Sequence, residues 1–244
     1  MPPSSPERGR PSVAAAWAIH ALTASGAVLG FLALESAFRA DAPATFFWLA
    51  IALVVDGIDG PLARALNVER ATPNIDGAAL DLVVDYLTYV VAPVAWMVAA
   101  GIWPAGWETP LAGFVLVTAL YTFARRDMKA DSADFRGFPA VWNLIAAAFA
   151  ATDAAPWPAA GVTLVLSALT FTNLKVVHPV RVRALRPLTL GALIAWMASC
   201  GALIAEPGWN TEAMRVLWWA TSAYLVGLCI WRSAMLARDE KRGA

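Results

Sequence analysis

Eight apolar stretches dominate the chain, at approximately 13–35, 44–64, 77–102, 109–125, 140–155, 157–175, 187–205 and 214–236. A hydrocarbon layer of roughly 30 Å takes about 20 apolar residues per helical crossing. Windows of this length and number therefore make the chain a polytopic, all-α membrane bundle of about eight transmembrane helices. With 59% of residues hydrophobic, 15% charged and a mean hydropathy of +0.60, the composition lies far from that of a soluble domain. The fifth and sixth windows are divided only by "DAAPWPA", which allows either two crossings or one re-entrant pair.

Charge placement tests the count independently. With a cytoplasmic N-terminus, sixteen basic residues fall on the cytoplasmic side and only Arg39 and Arg215 on the other. Omitting a single helix would spoil this positive-inside alternation. Both termini are thus expected in the cytoplasm, although the formal net charge of zero carries no such information. Residues 1–12, rich in Pro, Ser and Arg, read as a disordered cytoplasmic N-terminus, 13–236 as a single transmembrane domain, and 237–244 as a cytoplasmic tail. The apolar run after residue 12 is too long for a signal peptide and lacks a small-residue cleavage site, so it is expected to stay as the first helix. Cys200 and Cys229 lack metal-ligand spacing and read as small buried hydrophobes.

Against this background the aspartates of "VVDGIDGPLARALNVERATPNIDGAALDLVVDYLTYVV" stand out. An aspartate at the bilayer centre costs about 3 kcal/mol, so an acid retained in a span marks a functional site. Asp56 and Asp59 fall near the cytoplasmic end of the second helix, and Asp81 and Asp85 in the first turns of the third, at similar depth. Asp56, Asp59, Gly60 and Ala63 are spaced i, i+3, i+4, i+7, and Gly77, Asp81 and Asp85 are spaced i, i+4, i+8, so each set shares one helical face. Four carboxylates facing one poorly solvated cleft need shared protons or a divalent cation, and hard oxygen ligands suit magnesium, manganese or calcium. Pro61 removes a donor and Gly57 and Gly60 loosen the turn, so a kink or early fraying is expected there. Asp76 lies outside the spacing and reads as an N-cap of the third helix.

The set Asp56, Asp59, Gly60, Ala63, Arg64, Gly77, Asp81 and Asp85 resembles the D-x2-D-G-x2-A-R-x(n)-G-x3-D-x3-D signature of the CDP-alcohol phosphatidyltransferases, membrane enzymes of phospholipid synthesis. Twelve residues separate Arg64 from Gly77, more than the family's usual eight or nine, and this longer spacing is similar to that of the bacterial phosphatidylcholine synthases. "HALTASGAVLGFLAL", "FRGFPAVWNL" and "VHPVRVRALRPLT" resemble the same subfamily, so the likeness covers nearly the whole chain. The resemblance implies transfer of the phosphatidyl group of CDP-diacylglycerol to choline with release of CMP, in a bacterial inner membrane, from a site facing the cytoplasm. It implies Asp56, Asp59, Asp81 and Asp85 as ligands of a divalent metal, manganese favoured or magnesium, and Asp85 as general base. It also implies Gly60, Ala63, Arg64, Gly77 and Thr23 at the nucleotide, and a homodimer, since relatives are dimeric; no nucleic-acid partner is expected.

Choline, a quaternary ammonium, is held by aromatic faces and nearby negative charge. Tyr86, Tyr89, Phe138 and Trp142, at the cytoplasmic level of the acids, are the candidates. His20 and Thr23 read equally as nucleotide contacts or as interhelical hydrogen-bonding groups. His178, Arg181 and Arg183 read as phosphate or lipid contacts or as ordinary positive-inside charge, and Asn143 as site support or helix pairing. The rival acceptors are serine, glycerol phosphate and inositol phosphate; the anionic ones would require extra Arg or Lys in the pocket. A cation transporter would spread its acids through the membrane or gather them at its midplane, whereas these lie at one end.

Overall fold

The computed structural model describes residues 12–125, 134–172, 175–177, 185–205, 207–209 and 211–243. Helices occupy all eight apolar windows. They are α1 (Val13–Phe38), α2 (Ala42–Ala65), a rod running from α4 (Gly77–Asp85) through a π-helical turn (Tyr86–Val91) into α5 (Ala92–Ala99), α6 (Glu108–Ala124), α7 (Trp142–Thr152), α8 (Pro156–Leu169), α9 (Arg186–Ala205) and α10 (Glu212–Gly243). A single turn, α3 (Val68–Ala71), interrupts the segment between α2 and α4. Outside the helices, β1 (Asp134–Arg136) pairs antiparallel with β2 (Lys175–Val177), a three-residue ladder that ties together the segments preceding α7 and α9. The helix α10 continues through residues 237–243, which the sequence had suggested as a tail.

Five of these helices are long and apolar enough to cross a membrane, whereas α6, α7 and α8 have 17, 11 and 14 residues. At 1.5 Å per residue, α7 reaches only about 16 Å, roughly half the hydrocarbon layer. Asp153, in a left-handed conformation (φ 47°), turns the chain between α7 and α8, so two short helices replace the long fifth and sixth windows. Whether α7 and α8 make two crossings or one re-entrant pair, the chain returns to the side from which it entered.

The helix starts follow from local chemistry. Ser12, Asp41 and Asp76 each accept a bond from the backbone N–H three residues on, at 3.2, 3.0 and 3.0 Å, satisfying donors that have no intrahelical partner. Asp76 is thereby the N-cap of α4, as its sequence position suggested. At Pro61 the expected early fraying does not occur, because α2 runs on to Ala65. The carbonyl that loses its donor belongs to Gly57, which is exposed and has open space beside it, so the backbone can tilt there without a clash. Pro93 has a different effect: its ring crowds the carbonyl of Tyr89, and the preceding turn widens into the π-helix, a form frequent at functional sites.

Helix α1 lies at the centre of the site half, packing against α2, α4, the π turn and α5. Gly26 and Gly30 bring its backbone close. A Cβ on Gly26 would sit 2.5 Å from Val84 Cγ1, and one on Gly30 would sit 2.6 and 3.2 Å from Leu87 Cδ2 and Thr88 Cγ2. Small residues spaced in this way let membrane helices approach closely. Elsewhere the main core gathers Val90, Met97, Trp103, Val115, Phe138 and Trp142, with Trp103 Nε1 donating to Thr163 Oγ1 at 3.0 Å.

Gly26→Ala gains about 1 kcal/mol of helix propensity but forces a methyl onto the stiff, β-branched Val84, and overpacking of this kind costs about 1–3 kcal/mol. The variant is expected to melt lower in detergent than the wild type. Gly113→Ala, which meets nothing within 4 Å, is the control and should melt at or above it. Equal melting of the two variants would refute the close approach.

Candidate active site

The acids converge where the ends of α2 and α4 meet α1. Asp56, Asp81 and Asp85 each present a carboxylate oxygen, and the three oxygens lie within 4.8 Å of one another. Asp59 and Thr23 share the same wall, and the enclosed space is about 10 Å³, the room of a single water or ion. At these separations each pair of like charges repels by roughly 3 kcal/mol at an effective dielectric of 20. Three ionised carboxylates so placed require a counter-charge.

The donor set fits a hard divalent cation. Ligand distances of about 2.0–2.6 Å for magnesium and calcium place two oxygens on one ion at most about 4–5 Å apart, and the observed spacing falls at that limit. The carboxylates from α2 and α4 are therefore preset to hold such an ion without rebuilding either helix.

The second row of residues is built from hydroxyls. Tyr89 donates its phenolic proton to Asp56 Oδ2 at 2.7 Å, and Thr23 donates to Asp59 Oδ2 at 2.6 Å. Asp59 is buried, only 4% exposed, and the threonine satisfies one of its oxygens. Tyr89 reaches Asp56 because it continues the stripe of Asp81 and Asp85 at i+8. In an α-helix that stripe drifts by about 40° every four residues. The π turn, with more residues per turn, offsets the drift.

The remaining candidates separate into two groups. Arg64 folds back along α2, its Nη1 3.4 Å from where a Gly60 Cβ would lie. Ala63 packs with Ala16, Ile19 and Val68, and the ring of His20 covers Gly77. Gly60, Ala63, Arg64 and Gly77 lie along the acid-bearing helices, within about one turn of Asp59 or Asp81, without lining the cleft itself. By contrast, Tyr86 donates to the Leu116 carbonyl at 3.0 Å, and Phe138 and Trp142 stack edge to face, 5.1 Å apart, in the main core. Those three aromatics do not line the acidic cleft, while Tyr89 touches it through Asp56. His178, Arg181 and Arg183 lie outside the described residues.

Two polar side chains of α1, His20 and Thr23, bond across to other segments. Thr23 holds Asp59, and His20 Nε2 meets Thr72 Oγ1 at 2.8 Å. Thr72 carried no signal in the sequence, since it belongs to neither helical stripe. Tyr89 did carry one, its i+4 spacing from Asp85, although it reads there as a choline contact. Asn143 accepts from the N–H of Leu144 at 2.9 Å and borders an apolar cavity of about 580 Å³ between α2, α7 and α9. Leu49 and Leu53 line that cavity on the face of α2 that carries Asp56. Cys200 is buried beside it and Cys229 is half-buried, and neither is in a disulfide.

No family model matches the chain. Curated relatives do. The chain is similar to the phosphatidylcholine synthase of Pseudomonas aeruginosa, with 43% identity over 221 residues that make up 91% of this chain and 93% of that one. It is also similar to proteins of that name from Rhizobium johnstonii (39% identity, 86% and 87% of the two chains) and Bradyrhizobium diazoefficiens (46%, 77% and 70%).

Proposed function

The chain belongs to the phosphatidylcholine synthase family, a membership that makes it a phosphatidyltransferase, and from that premise we propose how its residues carry the reaction. CDP-diacylglycerol and choline are the substrates. Asp85 takes the proton from the choline hydroxyl, the oxygen bonds to the phosphorus that bears diacylglycerol, and the bond from that phosphorus to CMP breaks. Phosphatidylcholine and CMP are the products. The convergence of Asp56, Asp81 and Asp85 carries this reading, because phosphoryl transfer asks a protein chiefly for positioning and charge neutralisation.

Asp56, Asp81 and Asp85, whose carboxylate oxygens converge, would hold a divalent metal, manganese or magnesium, with Asp59 beside them on the same wall. When bound, the ion neutralises the donor's pyrophosphate. Tyr89 and Thr23 keep Asp56 and Asp59 turned into place. Gly60 lets the cytidine end approach α2, with Arg64 available to its phosphates, while Ala63 and Gly77, packed against α1, shape the wall beside it. The apolar cavity along Leu49 and Leu53 gives an acyl chain a dry bed that begins one turn from Asp56. His178, Arg181 and Arg183 remain contacts for phosphate or anionic lipid. The enzyme resides in the bacterial inner membrane as a homodimer, with both termini and the active site on the cytoplasmic side. The sixteen-to-two distribution of basic residues supports that orientation.

The test is purified protein in lipid with Mn2+, CDP-diacylglycerol and, in turn, labelled choline, serine, glycerol phosphate or inositol phosphate. Labelled phosphatidylcholine from choline alone is expected. Product from another acceptor with none from choline would overturn the assignment.

A further inference from the structure

The segment between α2 and α4 is long, and it is anchored. Val68 of α3, only 4% exposed, packs against Ala16 and Ile19 of α1. One turn on, Thr72 Oγ1 lies 2.8 Å from His20 Nε2 and 3.1 Å from the Val68 carbonyl. A hydroxyl has one proton, and directing it to the carbonyl leaves the oxygen's lone pairs to accept from Nε2–H. With either tautomer the contact ties His20 to Thr72. The other edge of the imidazole faces the start of α4, where a Cβ on Gly77 would come within 3.4 Å of Cε1. Trp17 closes the near side edge-on, with ring centroids 6.0 Å apart. One imidazole, 6% exposed, therefore touches both ends of the turn from Thr72 to Gly77.

We infer that His20 is a positioning residue: through Thr72 and Gly77 it fixes where α4 begins, and so where Asp81 and Asp85 stand opposite Asp56. The inference rests on the metal-holding role given above to these acids. Geometry explains the leverage. Asp81 and Asp85 lie four and eight residues beyond Gly77 on one stripe, so a shift or rotation of the first turn of α4 moves both together. On α1, His20 and Thr23 share a face, and Thr23 holds Asp59 of α2. A single stretch of α1 thereby sets both acid-bearing helices against each other.

Four variants test it: His20→Leu and Thr72→Val, which remove the bond, and His20→Gln and Thr72→Ser, which keep a donor and an acceptor. Mn2+ binding to the full-length protein in lipid nanodiscs is read from the electron paramagnetic resonance signal of free Mn2+, with melting temperature and the kcat and KM for choline alongside. His20→Leu and Thr72→Val are each expected to weaken Mn2+ binding about tenfold and to lower kcat with little change in KM. The double variant should be no worse than either single one, and the conservative pair should bind within about threefold of wild type. Lower melting with unchanged Mn2+ binding in the Leu and Val variants would overturn the inference while leaving the metal reading intact. Additive losses in the double variant would also overturn it. Wild-type protein that binds no Mn2+ would overturn both.

Discussion

Asp85→Asn is expected to leave a folded protein that makes no measurable phosphatidylcholine. The amide matches the carboxylate in size, so the turns around it repack without change. It cannot take a proton, however, and general-base assistance alone contributes about 10²–10⁴-fold. Because Asp85 also stands within 4.8 Å of the Asp56 and Asp81 oxygens, the substitution weakens the site's hold on a cation as well. A loss of at least about a thousandfold in kcat is expected, with the circular dichroism spectrum retained. Activity above a tenth of wild type would remove the assignment of Asp85 as base.

Chelation should have an effect of similar size by a different route. Treatment with EDTA is expected to abolish turnover, and added Mn2+ to restore it. The same treatment should lower the melting temperature, since Asp56, Asp81 and Asp85 then lose the ion that offsets their mutual repulsion. A ligand present at a hundred times its dissociation constant stabilises by about 2.7 kcal/mol, enough to read in a thermal scan. Full activity in EDTA would exclude an exchangeable metal from the reaction. An unchanged melting temperature would show that the acids have another source of compensation.

These expectations rest on features of unequal legibility. The spans could be read because hydropathy and a 3.6-residue period are strong signals over 20 residues, and the acids because their spacing fixes a face whatever surrounds it. The cap at Asp76 was readable too, since an Asx residue before an apolar run has a local reason to be there. Less visible were the features set by tertiary contact. The shortness of α7 depends on the turn at Asp153, which an apolar window of 140–155 conceals. The partnership of His20 and Thr72 links positions 52 residues apart, one of them in an irregular segment. Of the aromatic candidates for choline, Tyr86, Phe138 and Trp142 prove to be buried or bonded away from the acids. Sequence position suggested their depth in the membrane but not the direction in which their rings point.

The chain order of the site also bears on how the protein is made. The residues described above as framing the acids lie between Ala16 and Tyr89: Ile19, His20 and Thr23 on α1, Asp56 and Asp59 on α2, Val68 and Thr72 in the linker, Asp81, Asp85 and Tyr89 on the third rod. Chains emerge from the ribosome N-terminus first, and contacts close in sequence form soonest. The acids can therefore meet once the third rod has inserted, while α6 to α10 are still unsynthesised. Later helices then close around a centre that already exists, so an assembly fault in the C-terminal half should cost the enzyme its stability or its lipid cavity before it costs the arrangement of its carboxylates.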